Sequence, residues 1–181
     1  MCMYKKCVPL AYFESIYDIP YEKYQKQGIK ALFFDLDNTV ISYEEDILTQ
    51  NHLDFLKQLE KEFQIIFISN ARKKRLEKAL GINFPYYHLS KKPLKSKYKK
   101  ALKDHQLKKE EALMIGDQLM TDIYGANRTG IKGILVKAVK RKSDHIFTRI
   151  NRRIEKIMIK KIKKKNPEIY QERLEQYVKS Y

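Results

Sequence analysis

The chain has no tryptophan, two cysteines, six glycines and five prolines among its 181 residues. So few glycines and prolines, beside 43% hydrophobic residues, exclude wholesale disorder and leave material for one domain with a good core. Cys2 and Cys7 have no histidine pair near them at zinc-ligand spacing, so they read as unpaired thiols of a reducing cytoplasm. No apolar run approaches the ~18 residues that a membrane span requires; Ile65-Ile66-Phe67-Ile68 is among the longest. The opening Met-Cys-Met-Tyr-Lys-Lys-Cys lacks the apolar stretch and cleavage site of a signal peptide.

Acidic residues are also scarce, but only locally. The net charge is +16, yet residues 91–103 hold seven lysines and no acid, and residues 137–165 set thirteen Lys and Arg against Asp144 and Glu155. The remainder is close to neutral. Two patches therefore carry the basicity, and each expects an anionic partner or heavy solvation.

Periodicity gives alternating strands and helices. Apolar runs at 30–34, 64–68, 84–89, 112–115 and 131–136 read as strands, the third weakly. Helices are expected over roughly 46–61, 71–80 (capped by Ser69-Asn70 and closed by Gly81), 93–105 and 119–128, followed by one long helix and a frayed tail. The class is α/β, a doubly wound, Rossmann-like parallel sheet, in which ligands sit beyond the carboxyl ends of the strands. Asp35, Ser69, Lys92 and Asp117 all stand just past strand ends.

Asp35 and Asp37 follow a buried strand two residues apart, so an extended backbone points both to one side. Two carboxylates that close repel, which suggests a bound cation or a division into acid and base. Asp117 and Asp122 supply two further carboxylates after another strand. Hard oxygen ligands around a site that also takes phosphate argue for Mg2+. Taken singly, Asp37 and Asn38 equally suit a turn, Ser69 a helix cap, and Lys92 a solvated lysine-rich stretch.

The order Asp-x-Asp-x-Thr, Ser-Asn, Lys-Pro, Gly-Asp-x-x-x-x-Asp resembles the haloacid dehalogenase (HAD) superfamily phosphatases over about residues 28–136. More narrowly, Gly28-Ile29-Lys30, Asp35-Leu-Asp-Asn-Thr, Lys92-Pro93, Gly116-Asp-Gln-Leu-x-Thr-Asp, Asn127-Arg128 and Asn151-Arg152-Arg153-Ile154-Glu155 look like the YqeG branch of subfamily IIIA. That branch is similar to phosphatidylglycerophosphate phosphatases. The resemblance implies Asp35 as nucleophile and Asp37 as acid and base. It implies Thr39, Ser69, Asn70 and Lys92 around the phosphate, with Lys92 also neutralising charge in catalysis. Asp35, the Asp37 carbonyl, Asp117 and Asp122 would then surround Mg2+.

The intervals from Asp35 to Ser69 and from Ser69 to Lys92 hold one helix and one strand each, leaving no room for a large cap domain. An open site suits a phosphate carried on something larger. The segment from Ile146 repeats Phe147, Ile150, Ile154, Ile157, Met158 and Ile162 at helical steps among Arg and Lys. That pattern suits core packing for its first half and an anionic lipid surface for its lysine-rich end. The expected organisation is an aromatic-rich extension (1–28), a phosphatase domain (29–145), a basic amphipathic helix (146–165) and a tail (166–181). The resulting expectation is a cytoplasmic enzyme, peripheral at the inner face of the membrane, that hydrolyses phosphatidylglycerophosphate to phosphatidylglycerol. Alternatives are a nucleic-acid end, nucleotide or small-metabolite phosphatase, and an RNA- or ribosome-binding protein on an inactive form of the fold.

Overall fold

The computed structural model describes residues 3–140 and 146–180, and the side chains of residues 146–149 fall outside that description. Cys2 and the side chains of Ile146, Phe147 and Arg149, expected in the amphipathic stripe, therefore lie outside the described residues.

Six strands form one parallel sheet: β1 (Ala11–Phe13), β2 (Ala31–Phe34), β3 (Gln64–Ile68), β4 (Tyr86–Tyr87), β5 (Ala112–Gly116) and β6 (Lys132–Val136). Their order is β1-β6-β5-β2-β3-β4, every pair parallel. Successive connections move outward from β2 through β3 to β4, then return to the other side of β2 at β5. The order thus reverses between β2 and β5, which makes the crevice past their carboxyl ends the place for a ligand. Phe34 is level with Ile115, so Asp35 and Gly116 emerge side by side.

Strand alternation sends Leu32 and Phe34 to one face of the sheet and Ala31 and Phe33 to the other, all fully buried. The first face is covered by α3 (Gln50–Glu60) and α4 (Lys73–Leu80) through Leu56, Leu59, Leu76 and Leu80, joined by Ile16, Ile19, Tyr21 and Tyr24. On the second, Tyr98 and Ala101 of α5 (Ser96–Asp104) and Ala126 of α6 (Tyr124–Thr129) pack on Phe33, Ile66 and Met114.

Several elements differ from the sequence expectation. Within the expected extension, residues 3–28 add β1 to the edge of the sheet, with α1 (Met3–Lys6) and α2 (Tyr21–Lys26) around it. The helix expected from 46 begins at Gln50, because the Thr49 hydroxyl accepts the His52 N–H as its cap. Ser69 does not cap α4, which starts at Lys73; its hydroxyl accepts the Ala71 N–H in the preceding turn. The strand expected over 84–89 shrinks to the two residues of β4, and the helix expected from Pro93 starts at Ser96. Leu89 and Lys91, at φ 45° and 50°, bend that intervening loop back over the strand ends. The helix expected over 119–128 opens as one wide π turn, Leu119–Ile123, before α6.

The frayed tail is instead α8 (Pro167–Arg173) and α9 (Glu175–Lys179), following α7 (Ile146–Lys165). Tyr170, Leu174 and Tyr177 are buried there with Ile159 and Ile162 against Leu119, Ile123 and Leu135. Core packing thus runs along α7 into its lysine-rich end, while Lys156, Lys160, Lys161, Lys163 and Lys164 remain exposed. Cys7 is a free, buried thiol, pushed up to about 12 by burial and then by the charge of Glu155, so it is a poor nucleophile.

Candidate active site

Four segments meet where the strand order reverses. The loop after β2 brings Asp35 and Asp37, the end of β3 brings Ser69 and Asn70, the bent loop brings Lys92, and the end of β5 brings Asp117 and Asp122. A cleft of about 880 Å3 opens over them, lined by Asp35, Asp37, Ser69, Asn70, Lys92, Gln118 and Thr121, with Tyr43, Arg72, Arg75, Leu89 and Asn151 at its sides. Asp117 and Asp122 lie wholly buried behind it.

Lys92 Nζ stands between two carboxylates, 2.8 Å from Asp35 Oδ1 and 2.7 Å from Asp122 Oδ1. Burial alone would lower its pKa, but the charges of Asp122 and then Asp35 prevail and hold the ammonium firmly protonated. Asn70 fixes this lysine by its main chain: its Oδ1 accepts the Lys92 N–H at 2.7 Å, and its Nδ2 donates to the Lys92 carbonyl at 3.4 Å. The amide expected on phosphate is therefore occupied in aiming Lys92, although it still lines the cleft.

Asp35, Asp117 and Asp122 each place a carboxylate oxygen within 4.8 Å of the others, all three buried. Three hard oxygen donors converging on one buried point fit a divalent cation. Burial foremost raises the pKa of both Asp117 and Asp122; Arg152 opposes it at the first and Lys92 at the second. The carboxyl group of Asp37 is not part of this cluster.

Thr39 is placed differently from its expected phosphate contact. Its hydroxyl accepts the Asp117 N–H at 3.0 Å and lies 3.5 Å from Asp117 Oδ1, tying the β2 loop to the end of β5. Glycine at 116 has a steric cause: a Cβ there would fall 2.4 Å from the Asp122 carboxyl group. Gly125 likewise lets α6 approach Tyr98 and Pro93, where a Cβ would lie 2.9 and 3.1 Å away.

Sequence reasoning missed two groups. Arg75 grips Asp37 Oδ1 through Nε at 3.0 Å and Nη2 at 2.9 Å, and also donates from Nη2 to the Ser42 carbonyl. Its position four residues before the buried Ala79, at the margin of the packed face of α4, was the available signal. Thr121 Oγ1 is buried without a hydrogen-bond partner on the cleft wall. Asp37 has a raised pKa, from burial first and the Asp35 charge second, with Arg75 opposing.

This geometry agrees with what the chain resembles. The family model for HAD-hydrolase-like proteins matches residues 90–154. The chain belongs to the haloacid dehalogenase-like hydrolases, among their phosphatases. It is 31% identical to the probable phosphatase YqeG of Bacillus subtilis over 162 residues, 87% of this chain and 92% of that protein. A glyceraldehyde 3-phosphate phosphatase of Pyrococcus furiosus is 51% identical over 47 residues, 26% of this chain but only 20% of that protein. Among solved structures, a HAD family enzyme of Bacteroides thetaiotaomicron in a magnesium complex superposes with a TM-score of 0.50 at 16% identity. The match covers 64% of this chain and 97% of that one and speaks for the fold. No helix among the described residues is long and apolar enough to cross a membrane.

Proposed function

We propose that the chain is a Mg2+-dependent phosphomonoester hydrolase that works through an aspartyl-phosphate on Asp35. The observation that carries this reading is Asp35 itself: one carboxylate lines the open cleft, touches Lys92 and borders the buried acidic group. A carboxylate oxygen of Asp35 attacks phosphorus as the bond to the substrate alkoxide breaks, and Asp37 gives its proton to the leaving oxygen. In the second half, Asp37 takes a proton from water, which attacks the same phosphorus. The bond to Asp35 then breaks, releasing inorganic phosphate and restoring the carboxylate. Lys92 offsets charge on Asp35 and the phosphoryl group, while the Ser69 hydroxyl and Thr121 offer contacts to its oxygens. Asp35, Asp117, Asp122 and the Asp37 carbonyl would hold Mg2+, which when bound screens the repulsion between the attacking carboxylate and the phosphate.

The substrate we favour is phosphatidylglycerophosphate at an anionic membrane surface. Three features support it: the cleft is open, Leu89 is half-exposed in its lining, and α7 presents an outer row of lysines with Ile157 exposed among them. The same cations suit a nucleic-acid end, which is the competing reading. Phosphate release from lipid in vesicles, from a 3′-phosphorylated oligonucleotide and from small sugar phosphates, with and without Mg2+, separates them. Release from lipid, lost in Asp35→Asn, is the expected result. Release from the oligonucleotide alone would reassign the substrate, and turnover by Asp35→Asn equal to the parent would remove the nucleophile. No release from any of them, with tight RNA binding, would favour the non-catalytic reading.

A further inference from the structure

The metal-binding carboxylates do not end at the strand that carries them. Behind Asp117 lies a buried polar network contributed by α7 and α9. Arg152 Nη2 meets Asp117 Oδ2 at 2.5 Å, and Arg152 Nη1 donates to the Asp117 main-chain carbonyl at 2.9 Å. One guanidinium thus holds the side chain and the backbone of the same residue. The Arg152 Nη1 also reaches the Tyr177 hydroxyl at 2.9 Å, and that hydroxyl donates to Glu155 Oε1. Glu155 Oε2 in turn accepts the Leu119 N–H at 3.0 Å, at the start of the π turn that delivers Asp122.

Every member of this set is buried: Arg152 at 8%, Glu155 at 1% and Tyr177 at 0% exposure. Around them α7 and α9 are secured by plain apolar packing, from Ile159, Ile162 and Leu174 onto Leu119 and Ile123. A buried ion pair is a poor way to add stability to such an interface, because desolvation consumes much of its attraction. Its geometry serves orientation better. With Oδ2 and the main-chain carbonyl both held by one planar guanidinium, the direction of the Asp117 carboxyl group is fixed within the buried acidic group it forms with Asp35 and Asp122.

We propose that Arg152, supported by Glu155 and Tyr177, is a positioning residue for the metal-binding carboxylate of Asp117, so that the C-terminal helices form part of the metal site. The inference rests on the metal reading above and concerns residues beyond the strand-end motifs. Outer partners that orient ligating carboxylates commonly change metal affinity by about 10–100-fold when removed.

Calorimetric titration of the full-length chain with Mg2+ alone, without substrate, tests it. Arg152→Met is expected to weaken binding by about 10–100-fold while thermal melting shows a folded protein. Arg152→Lys should fall between that variant and the parent, since an ammonium supplies the charge but not the two-point fork. Tyr177→Phe, which removes one hydroxyl from the support, should show a smaller loss in the same direction. A folded Arg152→Met that binds Mg2+ as tightly as the parent overturns the proposal; if that variant does not fold, an unchanged dissociation constant in Tyr177→Phe does so instead. A parent whose binding matches an Asp117→Asn control would overturn the metal site itself, and this inference with it.

Discussion

Arg75 and Asp37 are joined by two donors on one acceptor, Nε and Nη2 both reaching Oδ1, in the wall of the cleft. A carboxylate that acts first as acid and then as base needs a fixed direction and a pKa near the working pH. Burial and the Asp35 charge push Asp37 up, while Arg75 opposes them and restrains the rise. Removing the guanidinium in Arg75→Met therefore raises the Asp37 pKa further and lets its side chain wander. The expected outcome is a roughly 10- to 100-fold lower kcat, with the limb of the pH profile that needs ionised Asp37 moved to higher pH. Steady-state rates from pH 5 to 9 on an alkyl phosphate check this; an unmoved limb would detach Arg75 from Asp37 function.

Lys92 is the only cation within salt-bridge reach of both Asp35 and Asp122 among the described residues. Lys92→Met keeps most of the side-chain volume but leaves two buried carboxylates without their shared counter-ion. Breaking a buried pair in this way costs about 3–5 kcal/mol. The Lys92 ammonium stays protonated across this range, so the loss follows ionisation of its partners and should be larger at pH 8 than at pH 6, where Asp122, pushed to about 6, is partly protonated. Urea unfolding without metal measures it. Added Mg2+ should recover part of the deficit by supplying the missing positive charge, while phosphatase activity stays low.

Much of this was legible before any coordinates. Asp35, Asp37, Lys92, Asp117 and Asp122 could be placed because each terminates or closely follows an apolar run, and a parallel sheet gathers strand ends at one edge. The partners that these residues choose were not legible. Helical spacing from the buried Ala79 marks Arg75 as marginal to the packed face but does not name Asp37 as its partner, and no local pattern shows that the Asn70 amide holds the Lys92 backbone. Residues 11–13 are too short and too irregular to announce a strand; they become one by pairing with β6 at a sequence distance no local pattern reports. The C-terminal helices were hidden in the same way. Tyr170, Leu174 and Tyr177 sit in a polar stretch whose apolar spacing is regular but sparse, and only tertiary packing completes it.

Acidity should control metal binding. Burial pushes Asp117 to about 7 and Asp122 to about 6, against ordinary values near 4. A carboxyl group with a raised folded-state pKa favours the folded chain fully below its unfolded pKa, and loses that contribution as pH rises through the folded one. The metal-free chain is thus burdened by these two groups above pH 7, where both are ionised. Mg2+ binds the ionised form, so its stabilising effect should be largest there and fade as pH falls from 8 to 5.5. Melting curves at fixed Mg2+ across that range are expected to show a shift in Tm that shrinks steadily with acidification. A shift independent of pH would mean that neither carboxylate releases a proton to the metal.

Gly116 provides the sharpest steric test of the site. A methyl group there meets the carboxyl group of Asp122 at 2.4 Å, and that carboxylate cannot retreat without cost, because Oδ1 holds Lys92 and Oδ2 accepts the Gln118 N–H. Gly116→Ala should therefore cost about 1–3 kcal/mol, as overpacking does in a filled core, and weaken Mg2+ binding by more than roughly tenfold because a ligand is displaced. Gly130→Ala makes the control. It forces an L side chain into φ 93° at the end of α6, near the flexible Lys109 side chain and away from the acidic group, so it should cost about 1–2 kcal/mol with Mg2+ affinity intact. If the two variants lose stability alike and both keep full metal affinity, Asp122 is not a ligand, and the glycine at 116 serves packing alone.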